Sequence, residues 1–337
     1  MPLRVAINGF GRIGRLVLRS IVEHGRSDIE VVSINDLGPV ETNAHLLRYD
    51  SVHGRYPGKV EVAGDSIDIG HGGKIKVTAI RDPPQLPHKE LGVDIALECT
   101  GLFTTKDKAS AHLAAGARRV LVSAPCDAAD RTIVFGVNHQ TLNNDDRVVS
   151  NGSCTTNCLA PIAKVLLDTV GVESGFMTTV HAYTGDQPTL DTLHSDLYRG
   201  RAAATSMIPT STGAAKAIGL VIPELAGKLD GAAIRVPTPN VSVVDLKIIA
   251  GRETSKDEVN EALARAAGAG PLHGILAVTK EPLVSVDLNH VDASSTAALP
   301  LTQVVGGRLV RVLSWYDNEW GFSTRMADVA LAMGKLA

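Results

Sequence analysis

Leu3-Arg-Val-Ala-Ile-Asn-Gly9-Phe-Gly11-Arg-Ile-Gly14-Arg-Leu-Val-Leu18 is the stretch whose reading decides the fold. An apolar strand, Leu3–Asn8, runs into Gly-x-Gly-x-x-Gly, and residues 13–24 continue with helical spacing. The first glycine allows a tight turn, the second lets backbone approach a pyrophosphate, and the third lets helix pack close to strand. The unpaired N–H groups of the helix start then face the phosphates. Gly9, Gly11 and Gly14 are therefore candidate dinucleotide contacts, with Arg12 and Ile13 beneath the pyrophosphate. Alone, the pattern also describes a glycine-rich turn with no ligand. Asp36 closes the next strand at the distance where a carboxylate accepts hydrogen bonds from both adenosine ribose hydroxyls. A 2′-phosphate there would meet a like charge, so NAD is expected rather than NADP. Asp after a strand is also a common turn former.

Outward from this motif, short β-branched runs alternate with helical stretches: residues 30–35, a stretch at 43–49, then strands at 74–80, 95–99, 119–123 and 133–135. That alternation predicts βαβ units and a parallel, doubly wound Rossmann-type sheet, an NAD-binding domain over residues 1–152. Near Ser150 the pattern changes. A polar turn enters an apolar helix at 158–170, and strands are expected at 177–183, 234–237, 242–250, 283–287 and 309–316 with few helices between. This predicts an α+β catalytic domain over 153–320 with a mostly antiparallel or mixed sheet. A terminal helix at 321–337 is expected to pack back on the first domain.

The 337 residues are 44% hydrophobic with a formal charge of −3, and no block of like charges suggests a nucleic-acid or membrane surface. No apolar run approaches the roughly 20 residues that span a bilayer, and a soluble, cytoplasmic protein is expected. The four cysteines, Cys99, Cys126, Cys154 and Cys158, are too sparse for a disulfide framework. Cys154 and Cys158 lack a second ligand pair, so no metal site is expected.

Ser150-Asn-Gly-Ser-Cys-Thr-Thr-Asn-Cys158 sets a cysteine among hydroxyls and amides where a turn enters a helix. A helix N-terminus stabilises a thiolate, which makes Cys154 a candidate nucleophile. His181, near the end of a strand, is a candidate general base for it. Spacing does not show that the two meet, and each residue type is also common in cores. Cys158, on the apolar side of the helix, reads as packing.

Five segments in order along the chain resemble the glyceraldehyde-3-phosphate dehydrogenase family: Ala6-Ile-Asn-Gly-Phe-Gly-Arg-Ile-Gly-Arg15, Ser153-Cys-Thr-Thr-Asn-Cys158, His181-Ala-Tyr-Thr184, Arg235-Val-Pro-Thr-Pro-Asn240 and Trp315-Tyr-Asp-Asn-Glu-Trp-Gly-Phe322. The resemblance implies NAD-dependent, phosphorylating oxidation of glyceraldehyde 3-phosphate to 1,3-bisphosphoglycerate, through a hemithioacetal and thioester on Cys154 with His181 as base. It further implies cofactor contacts at Arg81, Thr100, Gly101, Ser123 and Asn318. A pocket for the substrate phosphate is implied at Thr184, Arg199 and Arg235, and an inorganic phosphate site at Ser153, Thr155, Thr212 and Gly213. A homotetramer is implied too, with the loop from Tyr183 to Ala204 near a neighbouring subunit. Departures from the family pattern fall at His273 and at Leu288, Val291, Asp292 and Ala293. Thr192-Leu193 departs as well, which leaves some tolerance of NADP open. Two rival readings are a sister enzyme acting on erythrose 4-phosphate and a catalytically idle NAD-binding interaction protein.

Overall fold

The computed structural model describes residues 1–336. The described chain divides into two compact units: residues 1–133, 139–152 and 323–336 form one, and residues 134–138 and 153–322 the other.

The first unit is built on a nine-stranded sheet. In chain order its elements begin with β1 (Leu3–Asn8), α1 (Arg12–Glu23), β2 (Ile29–Asn35) and α2 (Val40–Arg48), followed by a small ribbon of β3 (Tyr49–Asp50) and β4 (Gly54–Arg55). Then come β5 (Glu61–Ala63), β6 (Ser66–Asp68), β7 (Ile75–Thr78), β8 (Ile95–Glu98), the short helices α3 (Lys106–Ala109) and α4 (Ala111–Ala114), β9 (Arg119–Val122), β10 (Arg131–Thr132) and β11 (Val148–Ser150). The sheet order is β10-β11-β9-β8-β1-β2-β7-β6-β5, parallel from β10 through β7 and antiparallel at the β7-β6-β5 edge. Central strands β8 and β9 are buried along their whole length, as a sheet covered on both faces requires. The order reverses on either side of β1, so the carboxyl ends of β1, β2 and β8 flank a crevice of the kind that binds ligands in doubly wound folds. The strand expected at 133–135 is displaced: pairing is confined to Arg131–Thr132, and β11, which the sequence reading passed over, completes that edge.

The second unit carries α5 (Cys154–Val170), β12 (Val172–Ala182), β13 (Ile208–Ser211), α6 (Ala214–Val221), β14 (Leu229–Val236), β15 (Ser242–Ala250) and α7 (Lys256–Gly268). It ends with β16 (Leu276–Thr279), β17 (Ser295–Ala298), β18 (Gln303–Val305), β19 (Leu309–Tyr316) and the start of α8 (Trp320–Gly334). Its eight-stranded sheet runs β13-β14-β12-β15-β19-β17-β16, with β18 paired to β19; β12-β14 and β16-β17 are parallel and the rest antiparallel. Alternation along β19 buries Val310, Val312, Ser314 and Tyr316 on one face. That face joins α5 and the buried side of β15 in one apolar core. Residues 283–287 do not form the expected strand. Val284 and Val286 are exposed, Asp287 accepts the Val284 N–H at 2.8 Å, and the segment winds into a 3-10 turn at Ser285–Leu288.

From Ser323 onward α8 belongs with the first unit, where Thr324 Oγ1 meets Ser20 Oγ at 3.0 Å and Arg26 donates to Asp328 at 2.5 Å. The expected terminal helix extends to Ala337, which lies outside the described residues.

Candidate active site

In the first unit, Gly9 turns the chain with φ +88°, and a Cβ there would sit 2.7 Å from the Thr100 nitrogen. A Cβ on Gly14 would meet the Gly9 carbonyl at 2.1 Å, so β1 and α1 pack at a distance only glycine allows. Gly11 differs: nothing lies within 4 Å of its Cβ position, and as N-cap of α1 it makes no side-chain cap bond. Gly11 thus leaves space at the start of α1 for a phosphate to approach the backbone. Asp36 accepts from the Phe10 N–H (2.9 Å) and the Gly38 N–H (3.1 Å). A carboxylate has about four lone-pair sites, so capacity remains for ribose hydroxyls. Gly9, Gly11, Asp36, Arg81 and Thr100 all line a cavity of about 450 Å³, together with Asn8, Asn35, Ile80 and Phe103. The glycine cradle, the space beside Gly11 and the carboxylate fit a dinucleotide.

Other expected contacts are placed differently. The Arg12 guanidinium is paired with Asp50. Burial pushes that carboxyl up, but Arg12 and the N–H groups of His53 and Val52 outweigh burial and bring it to about 2. Ile13 is half-buried on α1, and Gly101 turns with φ +73° beside Thr100. Ser123 follows β9 with its N–H on the Glu98 carbonyl at 2.9 Å, outside the residues lining the cavity.

In the second unit, Ser153 caps α5 by accepting the Thr156 N–H at 3.0 Å, which places Cys154 in the first turn. Strand β12 brings His181 Nε2 to 3.5 Å from Cys154 Sγ. His181 Nδ1 lies 2.6 Å from the Ala182 carbonyl. A carbonyl only accepts, so Nδ1 carries the proton and Nε2 turns its lone pair toward the thiol. The 3.4 Å approach of Arg235 Nη1 to Nδ1 is then a contact between two hydrogen-bearing groups, electrostatic in effect.

Burial pushes the Cys154 thiol up, against the pull of Arg235, the Thr155 hydroxyl and N–H, and its own N–H. Burial, then the Arg235 charge, drives His181 down from 6.5 to about 4, with the Ala182 carbonyl and Asp186 opposing. Both directions favour a thiol beside a neutral imidazole over an ion pair. The 3.5 Å line is therefore a path for the thiol proton rather than a preformed charge contact.

Arg235 donates to Thr184 Oγ1 at 2.9 Å and to the Ala182 carbonyl at 3.4 Å, and its buried Nε has no hydrogen-bond partner. These acceptors are neutral, so the guanidinium charge is not consumed by a carboxylate bond. Arg199, by contrast, donates to Asp186 at 2.9 Å and lies 3.6 Å from Asp196. Asp186 also accepts from the Thr184 hydroxyl. Thr212 accepts the Ala214 N–H at 3.2 Å and, with Gly213, starts α6, which packs on α5. Thr155 turns its buried hydroxyl to Tyr316 at 2.9 Å, and Asn318 accepts from Ser242 at 2.8 Å.

Two residues here escaped the sequence reading. Tyr316 binds Thr155 and, at 2.8 Å, Thr179 through its hydroxyl, and sets its ring edge-on to His181 with centroids 5.9 Å apart. The alternation of the strand ending at Tyr316 could have placed it on the buried face. Asp186 bridges Thr184 and Arg199; only its place in the polar Tyr183-Thr-Gly-Asp-Gln187 turn hinted at it.

A doubly wound dinucleotide unit joined to a second unit holding a capped thiol and an imidazole defines an NAD-dependent oxidoreductase. Residues 3–106 match the family description "Glyceraldehyde 3-phosphate dehydrogenase, NAD binding domain", and residues 153–318 match its "C-terminal domain" counterpart. The glyceraldehyde-3-phosphate dehydrogenases of Xanthobacter flavus and Cereibacter sphaeroides are 73% and 70% identical over 336 residues, covering 100% of both chains in each case. That of Geobacillus stearothermophilus is 54% identical, covering 98% of each chain. The chain belongs to the glyceraldehyde-3-phosphate dehydrogenase family.

Proposed function

We propose that the chain oxidises glyceraldehyde 3-phosphate to 1,3-bisphosphoglycerate with NAD and inorganic phosphate, with Cys154 as nucleophile and His181 as base. The observation that carries this is the tautomer-fixed approach of His181 Nε2 to Cys154 Sγ at 3.5 Å, with Arg235 beside it. Sγ attacks the aldehyde carbon while Nε2 takes the thiol proton and returns it to the new alkoxide, giving a hemithioacetal. When bound in the first unit's cavity, NAD supplies the acceptor for the hydride that leaves this carbon. Nε2 takes the hydroxyl proton as the carbonyl re-forms, leaving a thioester on Cys154. A phosphate oxygen then adds to that carbonyl and the sulfur leaves, so the product is an acyl phosphate.

Arg235, Thr184 and Arg199 are assigned to the substrate's own phosphate. The guanidinium that meets only neutral acceptors supports Arg235 as the principal anion contact. Ser153, Thr155, Thr212 and Gly213 are assigned to inorganic phosphate: Ser153 and Thr212 sit at the starts of α5 and α6, where N–H groups favour anions. Asp36 and Arg81 are assigned to the adenosine end of NAD and Asn318 to its carboxamide.

Assembly as a homotetramer is part of the reading. Leu190, Leu193, Leu197 and Tyr198 are exposed on the loop after β12, and Leu193 is fully so, an apolar surface suited to another copy of the chain. Four free cysteines accord with a cytoplasmic location; no helix among the described residues is long and apolar enough to cross a membrane.

NAD reduction with the triose phosphate is expected to be fast and to require inorganic phosphate. Erythrose 4-phosphate, assayed in parallel, is expected to be poor. Turnover indifferent to phosphate, or preference for the four-carbon sugar, would overturn the assignment.

A further inference from the structure

Strand β8 ends in Glu98, a carboxylate 1% exposed, with no Arg or Lys partner among the described residues. Its lone pairs are filled instead by Thr100, Asn8 and His112. Oε1 accepts the Thr100 N–H at 2.8 Å and the Thr100 hydroxyl; Oε2 accepts Asn8 Nδ2 at 2.6 Å and His112 Nε2 at 2.9 Å. Since a carboxylate only accepts, it fixes the direction of every bond that leads to it. Asn8 must present its amide N–H to Glu98, so its Oδ1 receives Asn35 Nδ2 at 2.7 Å. Asn35 Oδ1 then receives the Ile80 N–H at 2.8 Å. On the other side His112 presents its Nε2–H to Glu98, and its Nδ1 lies 3.0 Å from His88 Nε2. The chain ends at His88 Nδ1, buried and without a partner, in a side chain 2% exposed.

We propose that Glu98, held by the imidazole relay of His112 and His88, is a positioning residue for the dinucleotide, because Thr100, Asn8, Asn35 and Ile80, four lining groups of the cavity, hang from its carboxylate. The proposal rests on reading that cavity as the NAD site. Burial, and then His112, hold His88 down at about 4, so the end of the relay stays neutral across neutral pH. Phe103, another lining residue, sets its ring edge-on to His112 with centroids 6.3 Å apart.

The test pairs three variants with one measurement on the unmodified enzyme. His112→Leu removes the donor to Glu98 and is expected to weaken NAD binding by calorimetry, and to raise the KM for NAD, by about tenfold, more than it lowers kcat. His112→Gln can still donate to Glu98 and accept from His88, and is expected to recover most of that loss. NMR of protein labelled at the imidazole nitrogens is expected to show His112 protonated on Nε2 and His88 neutral. Glu98→Gln is expected to shift the His112 Nε2 resonance. A wild-type enzyme that binds no NAD overturns the cavity reading itself. Wild-type binding with His112→Leu equally tight, or His112 protonated on Nδ1, overturns the relay alone, and the NMR result stands even where a variant fails to fold.

Discussion

Each unit holds a deeply buried imidazole, and the two have been put to opposite uses. His181 and His88 are both driven to about 4, in each case first by burial and then by a neighbour, Arg235 for the one and His112 for the other. What separates them is the ring nitrogen each leaves bare. A carbonyl holds the proton of His181 on Nδ1 and points its Nε2 lone pair at a thiol. His88 turns Nε2 to His112 at 3.0 Å and leaves Nδ1 without a partner. Burial makes an imidazole neutral; the partner of the other nitrogen decides whether it can act as a base.

The sharpest break of this comparison is His181→Gln. The amide can still donate to the Ala182 carbonyl but has no basic lone pair for the thiol proton. Loss of general base catalysis is expected to lower kcat on the order of 10²–10⁴-fold, with NAD affinity by calorimetry little altered. Turnover within tenfold of the wild type would mean that another group activates Cys154. The contrast with His112→Leu is then one of kind, kcat against KM.

Acid stability tests what the two sites share. Each imidazole stays neutral in the folded chain down to about 4, whereas in the unfolded chain it protonates below its ordinary 6.5. Between those values the unfolded chain binds more protons, so the contribution of each is complete above 6.5 and is lost as pH falls toward 4. A shift of this size corresponds to about 3 kcal/mol per histidine. Urea unfolding followed from pH 7 to pH 4.5 is expected to show this decline, and His181→Gln to flatten its share. A slope unchanged by that substitution would show that His181 takes up its proton without unfolding.

The sequence made some of this legible and hid the rest for physical reasons. Gly9, Gly11, Gly14 and Asp36 could be read because a tight turn, a close helix and a strand-end carboxylate restrict residue type at fixed spacing. Cys154 could be read because a helix start is marked by its cap, Ser153. The Leu283–Asp287 run misled because alternation is silent about burial, and both valines in it face outward. Glu98 and Tyr316 went unread because they act through partners distant in sequence: Asn8 lies 90 residues from Glu98, and Thr155 lies 161 from Tyr316. The relay from Glu98 to His88 has no local signature, since nothing in Pro87-His-Lys or Ala111-His-Leu says that the two rings will meet.

The smallest expected effect concerns Arg235, a charge that pulls on both halves of the thiol-imidazole pair. It lowers the thiol and the imidazole together, opposing burial for Cys154 and reinforcing it for His181. Arg235→Gln should therefore let both rise. The thiolate fraction at neutral pH falls, and alkylation of Cys154 by iodoacetamide is expected to slow by about threefold, with its pH midpoint moved upward. Cys158 is an internal control, since burial holds that thiol up at about 12 and Arg235 has no part in it. Faster alkylation of Cys154 in the variant would mean that Arg235 chiefly covers the sulfur rather than charging it. In that case the difference between the two imidazole sites would rest on tautomer alone, with the guanidinium serving only the substrate phosphate.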